Sequence, residues 1–104
     1  MAVSLSRRAR ADLDDIREYT LRTWDRAQWF KYYRGIVSAF EMIEARPENG
    51  GDRSLFAPNL KSILCQKHVI FYTQPKSAKG EVVIVRIAHQ SRYLPALTYY
   101  DDIE

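Results

Sequence analysis

The chain has 104 residues, room for a single domain spanning 1–104, because independent domains run to about 100 to 200 residues. Apolar residues make up 46% and charged residues 28%, near the globular average, which excludes a disordered or collagen-like chain. Sixteen Lys and Arg against thirteen Asp and Glu leave +3, too little to hold duplex DNA by bulk charge alone.

Ala2 to Leu5 is short and apolar and predicts a brief strand, followed by Ser6 as the cap of a helix starting at Arg7. From there Ala9, Leu13, Ile16, Thr20 and Trp24 recur at spacings of 4, 3, 4 and 4, one narrow stripe on a helix turning about 100° per residue. The other faces carry Arg8, Asp12, Asp14, Asp15, Arg17, Glu18 and Arg22, which read as solvated ion pairs. Neighbouring acids on a helix point in different directions, so Asp12, Asp14 and Asp15 form no paired-carboxylate acid/base site.

Asp25 followed by Gln28 is a variant of the capping box and starts a second helix after a tight connection. Trp29, Tyr32, Tyr33, Ile36, Phe40 and Ile43 share its apolar face, with Val37 and Phe30 at the margin and Met42 opposite. Arg46-Pro47 and Asn49-Gly50-Gly51 end it. Helices of about 18 and 22 residues then form an antiparallel hairpin that cannot bury both stripes by itself, so something flat must cover it.

Leu60 to Leu64, His68 to Gln74 and Val82 to His89 are rich in Val, Ile, Phe and Tyr and predict an antiparallel meander. The last two are separated by a turn-forming loop, Pro75 to Gly80. Val82 to His89 is almost continuously apolar, the mark of a central strand covered on both faces, with Arg86 and His89 as its polar interruptions. Pro95 ends the last strand region, and 96–100 is either a short helix or an extended tail. The order is β-α-α-β-β-β, an α+β fold.

Charge separates along the chain. Residues 35–60 carry two basic and four acidic side chains, whereas 61–100 carry Lys61, Lys67, Lys76, Lys79, Arg86 and Arg92 against Glu81 alone. Asp101, Asp102 and Glu104 close the sequence. That leaves either an ordinary mixed surface or a basic half facing an acidic partner.

Cys65 has no partner for a disulfide and reads as a small buried hydrophobe rather than a nucleophile. His68 and His89 lack two further ligands at sensible spacing, so neither a metal nor another cofactor is expected. No apolar run has the length of a secretory leader or a membrane span, and a reducing cytoplasm is the expected compartment.

Several pieces, in their order and spacing, resemble a known family. They are Leu5-Ser6 with Ala9 and Asp12-Leu13; Ile16 with Tyr19-Thr20 and Trp24; Gln28 and Tyr32; Phe40 and Pro47; His68 to Tyr72; and Ile84 to His89. Together they resemble the RelE/ParE toxins of bacterial type II toxin-antitoxin pairs, and within them the ParE branch. The resemblance implies a helical hairpin packed on one face of a small antiparallel sheet. It also implies a ParD-like antitoxin in a hetero-oligomer with the toxin, laying a helix in an apolar groove and adding an extended stretch to the sheet. Tyr19, Trp24, Trp29, Tyr33 and Val37 are the candidate groove lining, since two Trp and two Tyr are a large aromatic load for one small hairpin.

Two kinds of target follow from the resemblance. A ParE-like toxin binds DNA gyrase and blocks its cycle without chemistry; the candidate contacts are Lys61, Lys67, Arg86, Arg92 and Tyr93, within a surface running on to Tyr100. On this reading the toxin alone does not bind DNA. A RelE-like toxin instead cleaves messenger RNA in the ribosomal A site without a metal, by activating a 2′-hydroxyl and stabilising charge on the phosphate. For that chemistry the candidates are Lys61, Arg86, His89 and Tyr93, with Lys67 beside them. Arg86 and His89 are three apart on a strand and point to opposite faces unless a bulge intervenes. A third reading is an inactive member kept as an antitoxin-binding module. The chain departs from the ParE pattern at Asn59-Leu60-Lys61, where Lys replaces Arg and bidentate anion binding is lost. It departs again at Ala88, where Leu is usual, and at Tyr93, where an acid is usual.

Overall fold

The computed structural model describes residues 3–75 and 81–91. Seven regular elements follow in chain order: β1 (Val3–Leu5), α1 (Arg7–Thr23), α2 (Arg26–Ala45), β2 (Gly51–Asp52), β3 (Lys61–Cys65), β4 (His68–Thr73) and β5 (Val82–His89). A 3-10 turn, Pro47–Asn49, follows α2. Lys76, Lys79, Arg92, Tyr93 and the expected helix or tail at 96–100 lie outside the described residues.

Both helices start where their caps place them. The Ser6 hydroxyl accepts the Ala9 N–H at 3.0 Å, and Asp25 Oδ1 accepts the Gln28 N–H at 2.8 Å. Each satisfies one amide that the first turn would leave without a partner. One residue, Asp25, separates α1 from α2 apart from the C-cap Trp24.

The five strands form one sheet in the order β1-β5-β4-β3-β2. β3, β4 and β5 are the expected antiparallel meander, whereas β1 joins the far edge parallel to β5, Val3 opposite Val82 and Leu5 opposite Ile84. β2 adds two residues beside Lys61 and Ser62, too short for any alternation to reveal. As the composition of β5 requires, the strand is covered twice. Val82, Ile84 and Ile87 meet Ile16, Trp29, Ile36, Phe40 and Ile43 in the core under the helices. Val85 and Ala88 pack on the opposite face with Phe71, Leu60 and Ala57, so the 53–60 loop closes that side.

The register explains how one strand serves both cores. Phe71 is opposite Arg86 but Tyr72 is opposite Ile84, leaving Val85 as an extra residue in β5. This β-bulge re-phases the strand, and Ile84 and Ile87, three apart, reach the same core.

Two glycines mark close approaches. At Gly50 an added Cβ would overlap the Tyr72 hydroxyl, which donates to the Pro47 carbonyl at 2.7 Å and ties the end of α2 to the sheet. At Gly35 it would overlap the Gln66 amide, part of the β3–β4 turn docked on α2. That docking offsets the roughly 1 kcal/mol that a glycine costs inside a helix.

Candidate functional site

A cleft of about 1000 Å³ opens at the end of the sheet where β4 begins and β5 ends. One wall is the outward side of α1, with Arg8, Asp12, Asp15 and Tyr19 along it and Trp24 at its end. Gln28 and Tyr32 of α2 close the top, and Gln66, Lys67, His68 and His89 form the facing wall. The cleft exists because β1 stops at Leu5. Beyond that rung the edge of β5 has no neighbouring strand, and α1 crosses it instead.

Asp12 takes over the role of the missing strand. Its carboxylate accepts from Arg86 Nε at 2.8 Å and Nη2 at 3.2 Å, and from the Ile87 backbone N–H at 2.9 Å. Both partners of the ion pair are largely buried, with side-chain exposures of 10% and 14%. Asp12 is therefore not one of the solvated helix charges that its neighbours suggest, whereas Glu18 and Arg22, 3.7 Å apart and exposed, are. The spacing of α1 contained a signal for this: Asp12 stands three residues after Ala9 and four before Ile16, both buried.

Behind this pair lies a column of three rings. The Tyr32 hydroxyl is hydrogen-bonded to His68 Nδ1, and the imidazoles of His68 and His89 meet edge to face with centroids 5.4 Å apart. Burial pushes the His68 pKa down to about 4, with His89 beside it acting in the same direction and Asp12 opposing both. His68 is thus neutral at pH 7, accepts at Nδ1 from Tyr32 and carries its proton on Nε2. Burial also raises the Tyr32 pKa, which keeps the phenol protonated as the donor. His89 is exposed, and its Nδ1 accepts the Ser91 N–H at 3.1 Å.

The candidate nuclease residues do not converge. Arg86 and His89 both line the cleft although no bulge separates them, the register from Phe71–Arg86 to His68–His89 being regular, but the Arg86 guanidinium is engaged by Asp12. Lys61 sits at the other end of the meander: it is opposite Tyr72, four rungs from the Cys65–His68 pair, about 14 Å at about 3.4 Å per residue. Tyr93 lies outside the described residues. Among the described candidate target contacts, Lys67, exposed at the β3–β4 turn, and Arg86 line the cleft, whereas Lys61 is far from them along β3, so these three do not gather into one patch.

The aromatic residues also divide. Trp29 is 8% exposed and belongs to the core, where it packs on Tyr33 with centroids 5.3 Å apart. Tyr33 and Val37 follow it on α2 and do not line the cleft. Tyr19 and Trp24 do line it and are 62% and 67% exposed. Trp24, which continues the apolar stripe of α1, is not in the core because the helix ends at Thr23. Cys65 is buried with its thiol 3.6 Å from the Gly35 carbonyl, and burial raises its pKa. Among the described residues no cluster of His, Cys, Asp or Glu could hold a metal, and no helix is long and apolar enough to cross a membrane.

Comparison with known proteins adds the context that the geometry lacks. A family model described as the ParE toxin of the type II toxin-antitoxin system parDE matches residues 3–94. A protein called Toxin ParE1 from Caulobacter vibrioides is 36% identical over 87 residues, covering 84% of this chain and 86% of its own. A Toxin ParE1 from Mycobacterium tuberculosis is 28% identical over 86 residues, covering 83% and 86%. Among solved structures, a chain from the chromosomal ParDE system of P. aeruginosa superposes with a TM-score of 0.70 at 20% identity, covering 86% of this chain and 95% of that one. That last likeness bears on the fold.

Proposed function

The chain belongs to the ParE toxin family of type II toxin-antitoxin systems, and from that premise we propose that it acts by binding DNA gyrase and blocking its cycle, not by cutting messenger RNA. It does so in the cytoplasm and is held silent by a cognate ParD-like antitoxin. The observation that carries the non-enzymatic reading is the closure of Arg86 by Asp12. Phosphoryl chemistry without a metal needs a cation free to meet charge that develops in the transition state. A guanidinium already held by two hydrogen bonds to a largely buried carboxylate offers little of that, and Lys61 stands too far from His89 to replace it.

Purified toxin should stabilise gyrase-DNA cleavage complexes and leave ribosome-bound message intact. Clean A-site cuts by the purified chain would overturn the reading. The antitoxin contact is tested at Tyr33, the half-exposed ring beside Trp29. Tyr33→Asp should weaken antitoxin binding by more than about 1 kcal/mol, the usual mark of a significant interface residue. Unchanged affinity in a folded variant would move the antitoxin groove elsewhere. Trp29→Ala is a poorer probe because it opens the core.

A further inference from the structure

We infer that one exposed face of α2 pairs with the same face of a second copy of this chain, the two helices running antiparallel about a two-fold axis close to Val37. Phe30, Tyr33 and Val37 supply the apolar centre of the contact, and Arg34 of each copy meets Glu41 of the other. The inference goes beyond the gyrase reading and does not depend on it.

Trp29, Ile36 and Ile43 mark the buried side of α2, packed in the core under the helices. At about 100° per residue Phe30, Tyr33 and Val37 fall in a second arc of about 60°, centred about 100° round the helix from the first. Phe30 and Tyr33 are half-exposed there and Val37 is partly exposed, although apolar side chains at spacings of 3 and 4 are the pattern of a contact face. The Tyr33 ring is already held against Trp29, so little freedom is lost when a partner covers it.

Charge decides what the partner is. The three cations of α2, Arg26, Lys31 and Arg34, stand in its first nine residues, and its two acids, Glu41 and Glu44, in its last five. No acid stands in the first turn and no base in the last, the reverse of what the helix dipole favours. Such a helix is complementary to its own copy turned end for end. With the axis near Val37, Val37 meets its own copy, and Arg34 and the Tyr33 hydroxyl come within reach of the partner's Glu41. Arg34 and Glu41 are exposed and have no ion pair or hydrogen bond among the described residues. On their own helix they are seven residues apart, a rise of about 10.5 Å, too far to pair with each other.

A helix from another protein would need this same reversed order of charges to fit as well, whereas a second α2 has it by symmetry. The contact is one helix wide and about 30 Å long, which keeps it below about 1,200 Å² of total buried area, the range of weak and reversible association. The result is a monomer–dimer equilibrium and not a permanent dimer. Met42, exposed on the same helix, lies about 140° round from the stripe and takes no part.

The test uses the full purified chain alone, read by sedimentation equilibrium over a concentration series, so an antitoxin contact at Tyr33 does not enter it. A reversible monomer–dimer equilibrium is expected. Arg34→Glu and Glu41→Lys should each weaken it at least about tenfold, because each sets like charges opposite one another at two symmetric positions. Mixed together, the two variants should associate about as tightly as the wild type, since both pairs across the axis are then of opposite sign. Tyr33→Ala should weaken association at least about fivefold through the lost anchor. Met42→Ala should dimerise as the wild type does. All variants are first matched to the wild type by circular dichroism. The inference fails if the chain stays monomeric throughout the series, which would leave this face to the antitoxin. It fails equally if the two charge variants dimerise as the wild type does, or if their mixture associates no better than either alone.

Discussion

The meander has a closed end and an open end, made from the same strands. At the closed end Phe71, Tyr72 and Thr73 of β4 are all buried, β1 covers the edge of β5, and the Tyr72 hydroxyl is tied to Pro47. At the open end β1 has stopped, a helix lies across the edge, and His68, His89, Tyr19 and Trp24 face a cleft. Apolar matter and polar matter have been sorted along the strand direction as well as across the faces of the sheet. Stability is concentrated where nothing needs to bind, and exposed aromatic surface is concentrated where little stability depends on it.

That division can be broken at its seam. Asp12 joins the two ends by holding Arg86 and the Ile87 amide, so Asp12→Ala should cost about 3–5 kcal/mol, the usual result of leaving a buried charge without its partner. Urea unfolding of this variant showing less than 1 kcal/mol would mean that the pair is solvated after all. At the closed end Ile84→Ala removes a fully buried side chain and should cost about 2–5 kcal/mol, measured in the same way. Tyr72→Phe keeps the ring but leaves the Pro47 carbonyl without its donor, and about 1–2 kcal/mol should be lost.

The open end should respond to acid. His68 is neutral in the fold with a pKa of about 4, whereas the unfolded chain takes up that proton near the ordinary value of 6.5. Between those values the unfolded state binds more protons, so stability is complete above 6.5, falls as pH drops through the window and levels off below about 4. Unfolding midpoints at pH 7 and pH 5 should differ by less in His68→Gln than in the wild type; equal slopes would remove His68 as the cause. The smallest effect is expected at Trp24→Ala, within about 0.5 kcal/mol, because an exposed ring outside the core carries little stability. A large loss there would erase the contrast between the two ends.

What the sequence disclosed follows the same line. Caps and periods are local, so Ser6, Asp25 and the limits of α1, α2 and β5 could be read directly, and so could the double burial of β5. The parallel pairing of β1 with β5 joins residues almost eighty apart, and no local pattern encodes it. The β3–β4 turn was equally silent. Gln66 adopts a φ of 57° without the glycine or asparagine that would announce it, held by its amide against the Tyr32 carbonyl. Of the candidate site residues, Trp29 looked available because the hairpin carries a large aromatic load, and Arg86 because a guanidinium interrupts an otherwise apolar strand. Core packing took the first and Asp12 the second. His68 is hydrogen-bonded to Tyr32 and also lines the cleft.

The extra residue at Val85 has a consequence beyond geometry. It divides β5 into two reading frames, one in which Val82 and Ile84 face the helices and one in which Ile87 does. Deleting Val85 would remove the extra residue and leave Tyr72 opposite Ile84 and Phe71 opposite Arg86 in an unbroken ladder, so Ile87 would follow Ile84 by two and stay under the helices. His89 would keep the wall it shares with His68. A residue deleted between Arg86 and His89, where the register is regular, has no such slack and would turn the side chains beyond it to the other face. The bulge therefore gives β5 one residue of tolerance in length ahead of its open end and none within it.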